Sequence, residues 1–256
     1  MMELFDSHAH LNDKKFSEDL DEVVQRAGAN QVSYILNVGF DIKTSRKAVE
    51  LAQKYPNQYA AVGIHPHYAS MYNLEAERIL ETLAANKKVV AIGETGLDYY
   101  RNLSPKEVQR EAFKKQIALA KKLNKPLVIH DREAHQETME ILKQEKASDV
   151  GVVLHCFSGS AQMARECVKE GWYISLAGPV TYSNAAKLVQ VAEVVPIEKL
   201  LIETDCPYLT PQAVRGKRNE PMYVKYVAEK IAQIRKKSVE EIAYYTTENA
   251  KRFFRI

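Results

Sequence analysis

Residues 126–155, PLVIHDREAHQETMEILKQEKASDVGVVLH, decide the fold. Two short apolar runs, Leu127–His130 and Val152–Cys156, flank a helical stretch, Glu133–Glu145. Apolar runs this short, each preceded by Pro126 or Gly151, read as buried strands rather than helices. Each run carries a histidine at its C-terminal end, His130 and His155. The segment is one strand–helix–strand unit with matching polar termini.

Working outward, the same unit recurs. Further strands are expected at Leu4–His8, Tyr34–Gly39, Tyr59–His65, Val89–Glu94, Trp172–Leu176 and Leu200–Asp205. Helices are expected at Ser17–Ala27 (Ser17 as N-cap, Gly28 as stop), Thr44–Lys54, Leu74–Ala85, Ala161–Lys169, Asn184–Val194 and Pro221–Ile234. Lys106–Leu123 follows Ser104-Pro105, with proline opening the helix, and Val239–Tyr245 follows Ser238 with Glu241 three residues on, as in a capping box. Strand–helix alternation repeated around eight strands argues a parallel sheet with crossover helices. At 256 residues the closed TIM (β/α)8 barrel, with an additional C-terminal helix, is favoured over an open doubly wound sheet. The open sheet would place a glycine-rich phosphate turn after its first strand, where this chain has His8-Ala9-His10. Nothing resembling a linker divides the chain, so residues 1–256 are read as a single domain.

Composition narrows the function classes. Hydrophobic residues at 46% are ample for a large core, and a net charge of +3 is too small for a sequence-blind polyanion binder. Positive charge for a phosphate polymer would have to be local. Cys156, Cys167 and Cys206 form no disulfide framework. The N-terminus lacks the features of a secretory signal, and no run approaches the roughly 18 apolar residues of a membrane span. A cytoplasmic location and no membrane partner are expected, and no obligate protein partner is evident.

Six polar residues fall at the C-terminal ends of predicted strands, His8, His65, Glu94, His130, His155 and Asp205, and His10 stands two residues after His8. Barrel active sites lie at that face. In extended backbone, residues two apart point to the same side, so His8 and His10 can share one metal ion. Glu94 can offer one oxygen to each of two cations at the spacing of two-metal sites. Taken singly, each histidine could as well be a hydrogen-bonded core residue, and Glu94 a structural ion pair. The partition expected is His8, His10, Glu94 and Asp205 around one ion, and Glu94, His130 and His155 around the other. Nitrogen and oxygen ligands together suit Zn, Mn, Fe or Ni, whereas Mg favours oxygen. Two divalent ions less two carboxylates leave +2, which suits an anionic substrate such as a phosphodiester.

Five motifs carry a family resemblance: Asp6-Ser7-His8-Ala9-His10-Leu11, Gly63-Ile64-His65-Pro66, Gly93-Glu94-Thr95-Gly96-Leu97-Asp98-Tyr99, His155-Cys156-Phe157-Ser158-Gly159 and Glu203-Thr204-Asp205-Cys206-Pro207. With residues 215–221, RGKRNEP, they span nearly the whole chain. The chain resembles the TatD-like metal-dependent deoxyribonucleases of the amidohydrolase superfamily. The resemblance implies a TIM barrel and two divalent metal ions, Mg, Mn, Zn or Ni. It also implies hydrolysis of DNA phosphodiesters, in single strands or at 3′ ends, as a 3′→5′ exonuclease. It implies His8, His10, Glu94, His130, His155 and Asp205 as ligands, with Asp205 near the attacking water. Many amidohydrolases bridge their metals with a carboxylated lysine, whereas the fourth strand here ends in Glu94.

Asp205 is then expected to orient a water between the metals and take its proton, with Glu94 and His65 completing the catalytic set. Arg215, Lys217 and Arg218 lie after the eighth strand, a frequent phosphate site in barrels, and Arg218 is the sharpest phosphate candidate. His65 is expected to line the pocket and meet a phosphate when protonated. Tyr99, Tyr100 and Phe157 are candidates to stack a base. His67 and His135 are read as supporting residues, and Trp172 as core. Cys206 and Cys156 should point away from the metals by strand alternation. Two rivals remain open: an ester, lactone or amide hydrolase on the same metal pair, and a non-catalytic metal or nucleic-acid binding module.

Overall fold

The computed structural model describes residues 2–256. Eight parallel strands follow one another around a nearly closed barrel in chain order. They are β1 (Leu4–Ala9), β2 (Val32–Val38), β3 (Gln58–Val62), β4 (Val89–Asp98), β5 (Leu127–Arg132), β6 (Val152–Leu154), β7 (Tyr173–Leu176) and β8 (Leu200–Ile202). The crossover helices are α1 (Leu20–Ala29), α2 (Ile42–Lys54), α3 (Leu74–Ala84), α4 (Lys106–Leu123), α5 (His135–Gln144), α6 (Ala161–Lys169), α7 (Ala186–Val194) and α8 (Val224–Arg235). A last helix, α9 (Val239–Phe254), completes the chain.

The expected alternation is present, and the differences lie at element ends. α1 starts at Leu20 because Lys14–Phe16 forms a 3-10 turn ending on Ser17. It runs through Gly28, which therefore does not stop it, and ends at the Asn30 cap. α9 continues nine residues past Tyr245, to Phe254. Those added turns carry Phe253 and Phe254, which pack among Phe5, Val90, Val153 and Leu201 from the strand starts. The C-terminal helix thus fills the N-terminal end of the barrel with apolar side chains, and the polar residues are left at the opposite end.

Closure between β1 and β8 is made largely by side chains. Asp6 accepts hydrogen bonds from Thr204 N (2.9 Å) and Thr204 Oγ1 (2.5 Å), and Ser7 Oγ donates to Ile202 O (2.9 Å). Burial raises the Asp6 carboxyl to about 8 against the pull of those hydrogen bonds. Just beyond, His10 N donates to Cys206 O and Asp205 N donates to His8 O, at 2.8 and 2.9 Å. This seam sets His8, His10 and Asp205 side by side.

β4 is the longest strand and needs glycine at Gly96. Its φ is +138°, and a Cβ there would lie 2.0 Å from the carbonyl oxygen of His130. Only a residue without a side chain lets β4 approach β5 this closely. Gly96→Ala is expected to lower stability by about 3 kcal/mol, by strain and overpacking together. Urea unfolding of the two proteins measures it, and a loss under about 1 kcal/mol would contradict the packing argument.

Candidate metal centre

Two glutamines of α4 and two backbone turns after β6 and β8 aim the site's side chains. Gln109 and Gln116 lie two helical turns apart on α4 and are both buried. Gln116 donates to Ile64 O and Thr95 Oγ1 and accepts from Ile64 N, at 2.8–2.9 Å. It thereby fixes the chain beside both His65 and Glu94. Gln109 accepts from Asp98 N (2.9 Å) and donates to Ser104 O (2.8 Å), holding the end of β4. At the end of β8, Asp205 adopts φ 56°, which turns the chain out of extended geometry at the seam. At the end of β6, Cys156 does the same with φ 40°.

The two oxygens of Glu94 face different imidazoles. Oε2 lies 3.5 Å from His8 Nε2 and 3.7 Å from His10 Nε2, and Asp205 Oδ1 lies 3.7 and 3.2 Å from the same two nitrogens. His8 Nε2 and His10 Nε2 are 3.2 Å apart. Oε1 lies 2.8 Å from both His130 Nδ1 and His155 Nε2, which are 3.4 Å from each other, and 3.5 Å from His65 Nε2. The five separations in the first set, 3.2–3.7 Å, are close to the roughly 3.4 Å expected between ligands about 2.1 Å from a tetrahedral Zn-like ion.

Tautomers strengthen the fit. His10 Nδ1–H donates to Val38 O (2.8 Å). His155 Nδ1–H donates to Glu203 Oε1 (3.2 Å), and His130 Nε2–H donates to Asp98 Oδ2 (3.0 Å). In each neutral ring the remaining nitrogen is therefore a lone pair. Two such lone pairs, from His130 and His155, converge on a carboxylate oxygen. Acceptors facing acceptors at 2.8 Å require a cation between them, a proton or a metal. Without metal, protons take that role. Burial works to lower the His155 pKa, but the charges of Glu94 and Glu203 outweigh it and raise it well above the usual imidazole range. Burial likewise works to raise the Glu94 pKa, but His155, His65 and His130 hold it well below the usual carboxylate range.

The residues present thus fit a pair of divalent cations. His8, His10, Glu94 and Asp205 could hold one ion, and Glu94, His130 and His155 the other, as the spacing of strand ends suggested.

His65 differs from the expectation. Its Nδ1 accepts the His67 N–H (3.0 Å), so its proton sits on Nε2, facing the site. Burial and the neighbouring His130 push its pKa well below the ordinary value, so it faces the cavity as a neutral donor and not as a cation. Asp98 and Glu203 carry out the orienting that the sequence reading left without an owner. Asp98 holds both His130 and His67, and burial notwithstanding, those two rings keep its carboxyl far below the usual range. Asp98→Ala is expected to lower metal affinity about 10–100-fold, because His130 loses the partner that fixes its tautomer. Competition with a chelator measures it, and an unchanged affinity would contradict that role.

Glu94 opens onto a cavity of about 730 Å³ that His10, His65, His130, His155 and Asp205 also line. Phe40 and Tyr68 form a stacked pair on its wall, 5.9 Å apart at 21°. Phe157 lines it as well. Tyr99 does not: its hydroxyl is bonded to Glu137 and Lys106 covers its ring. The cations after β8 also lie off the cavity. Arg218 is tied to Asp19 (2.6 Å), Glu220 (3.0 Å) and the Phe16 ring, and Arg215 stacks on Tyr182. Lys217 is exposed on the same turn, its backbone N–H and C=O bonded to Val214 and Thr210, and it does not line the cavity. Local carboxylates and aromatic rings claim the charges of Arg218 and Arg215. Cys206 is buried away from the cavity, as expected. Cys156 lines it, because β6 ends at Leu154 and alternation no longer governs where Cys156 points.

Relatives share this fold and sequence. The family model described as "TatD related DNase" matches residues 5–255. An "Uncharacterized metal-dependent hydrolase YabD" of Bacillus subtilis is 53% identical, over 99% of this chain and 99% of its own length. A "3'-5' ssDNA/RNA exonuclease TatD" of Escherichia fergusonii is 38% identical, over 99% of each chain. The crystal structure of YjjV, a TatD homologue from Escherichia coli K12, superposes with a TM-score of 0.93 at 30% identity, covering 99% of this chain and 98% of its own. An eight-stranded barrel with a split carboxylate among five imidazoles, its sequence matched end to end by these proteins, belongs to the TatD family of metal-dependent hydrolases.

Proposed function

We propose that this hydrolase removes nucleotides one at a time from the 3′ end of single-stranded DNA. The carrying observation is the division of Glu94 between two imidazole sets at the floor of a cavity of about 730 Å³. That volume suits one small-molecule-sized group, such as a terminal nucleotide, and not a duplex. Relatives named as 3'-5' ssDNA/RNA exonucleases support the same reading.

Divalent cations bound at Glu94 would supply an acidified water and compensation for phosphoryl charge. The chain's own groups do the rest. Asp205, held as a carboxylate by His10 and His8 against burial, accepts the proton of the attacking water. His65 directs its Nε2–H to a phosphoryl oxygen, and the Phe40–Tyr68 pair stacks the terminal base. Asp98 and Glu203 keep His130 and His155 in register through the reaction.

Single-stranded DNA labelled at either end, incubated with Mg or Mn, tests this. Immediate release of 3′ label as mononucleotide, with a shrinking ladder of 5′-labelled products, is expected. Internal cuts, release from the 5′ end, or turnover confined to carboxylic esters and lactones would contradict it.

A further inference from the structure

Arg101 and Arg132 line the cavity, and no lysine and no other arginine does so among the described residues. Neither forms an ion pair among those residues, whereas Arg26, Arg110 and Arg218 all do. Their backbones are pinned near His130. Asp98 Oδ1 accepts Arg101 N (2.7 Å), and Arg132 O accepts Tyr99 N (2.9 Å) at the end of β5. Between them stands Tyr100, 54% exposed, with the Arg132 guanidinium 4.1 Å from its ring centroid and that of Arg101 at 6.0 Å.

A guanidinium that rests on an aromatic ring keeps its N–H donors in its own plane, free to fork onto phosphate oxygens. Two unneutralised guanidinium groups on one wall repel each other until an anion lies between them. The cavity's carboxylates cannot serve, since imidazoles already claim Glu94, Asp131 and Asp205.

We propose that Arg101 and Arg132, aligned by Tyr100, form a second phosphate site that grips a backbone phosphate adjoining the scissile one. This rests on the nuclease reading and refines it: the substrate must carry more than one phosphate. Strand recognition then lies on the loops after β4 and β5 rather than on the loop after β8.

The test uses the metal-loaded enzyme and its R101A, R132A and double variants on dT10 over a range of salt. Bis(p-nitrophenyl) phosphate, which has one phosphate, is run in parallel with the wild type. KM for dT10 is expected to rise about tenfold in each single variant and about a hundredfold in the double. The slope of log KM against log salt should fall by about 0.7 per arginine. Arg132→Lys should recover part of the KM, keeping the charge and losing the fork. A double variant with wild-type KM and salt slope overturns this proposal and leaves the nuclease reading standing. A fall in kcat alone, with KM and slope unchanged, marks a structural effect through β5 and also overturns it. Wild-type enzyme that hydrolyses the small diester but not dT10 overturns both.

Discussion

Glu94→Ala is expected to abolish turnover, by about 10³-fold or more, and to lower the metal content below that of the wild type. The reason lies in its geometry. One oxygen stands among His8 and His10, and the other among His130 and His155. No neighbouring carboxylate can take over both roles: Asp205 pairs with His8 and His10 and lies within 4.8 Å of His155 but is not paired with His130 among the described residues, and Asp98 binds the far nitrogen of His130. Loss of shared compensation for phosphoryl charge is a change of several kcal/mol in the barrier. Elemental analysis alongside DNA hydrolysis measures both effects. A variant with full metal and a wild-type rate would remove Glu94 from the centre of this account.

Asp205→Asn is expected to lower kcat about 10²–10⁴-fold, as for loss of a general base, while much of the metal stays bound. The amide oxygen still faces His8 and His10 but cannot accept a proton. In the wild type, burial works to raise the Asp205 pKa, yet His10 and His8 lower it below the ordinary value. The acid limb of the rate profile should therefore lie low in the wild type and vanish in the variant. Persistence of the same limb would assign it to another group.

Much of the metal cluster was legible because it is written in strand ends. A buried strand ending in histidine or glutamate has few physical explanations once several such strands share one barrel mouth. His8, His10, Glu94, His130, His155 and Asp205 could be gathered on that ground alone. The tautomers could not, because they depend on Asp98 and Glu203 across strand boundaries. Glu203 sits two residues before Asp205, and Asp98 four after Glu94, so proximity was the available signal. The cation choice failed for a different reason. Arg218 has the right chemistry and a plausible address, but Asp19 on the segment before α1 claims it over 199 positions of sequence. Arg101 and Arg132 gave no signal apart from their place after strand ends bearing Asp98 and His130. The aromatic pair Phe40 and Tyr68 comes from the loops after β2 and β3, and neither residue lies within a motif. In the fold, the length of α9 was missed because its purpose, filling the barrel floor with Phe253 and Phe254, is tertiary.

The most direct test of the metal-pair claim is anomalous diffraction from crystals grown with Mn. Two peaks are expected, one beside each carboxylate oxygen of Glu94, the first among His8, His10 and Asp205 and the second between His130 and His155. A single peak, or ions away from Glu94, would contradict it.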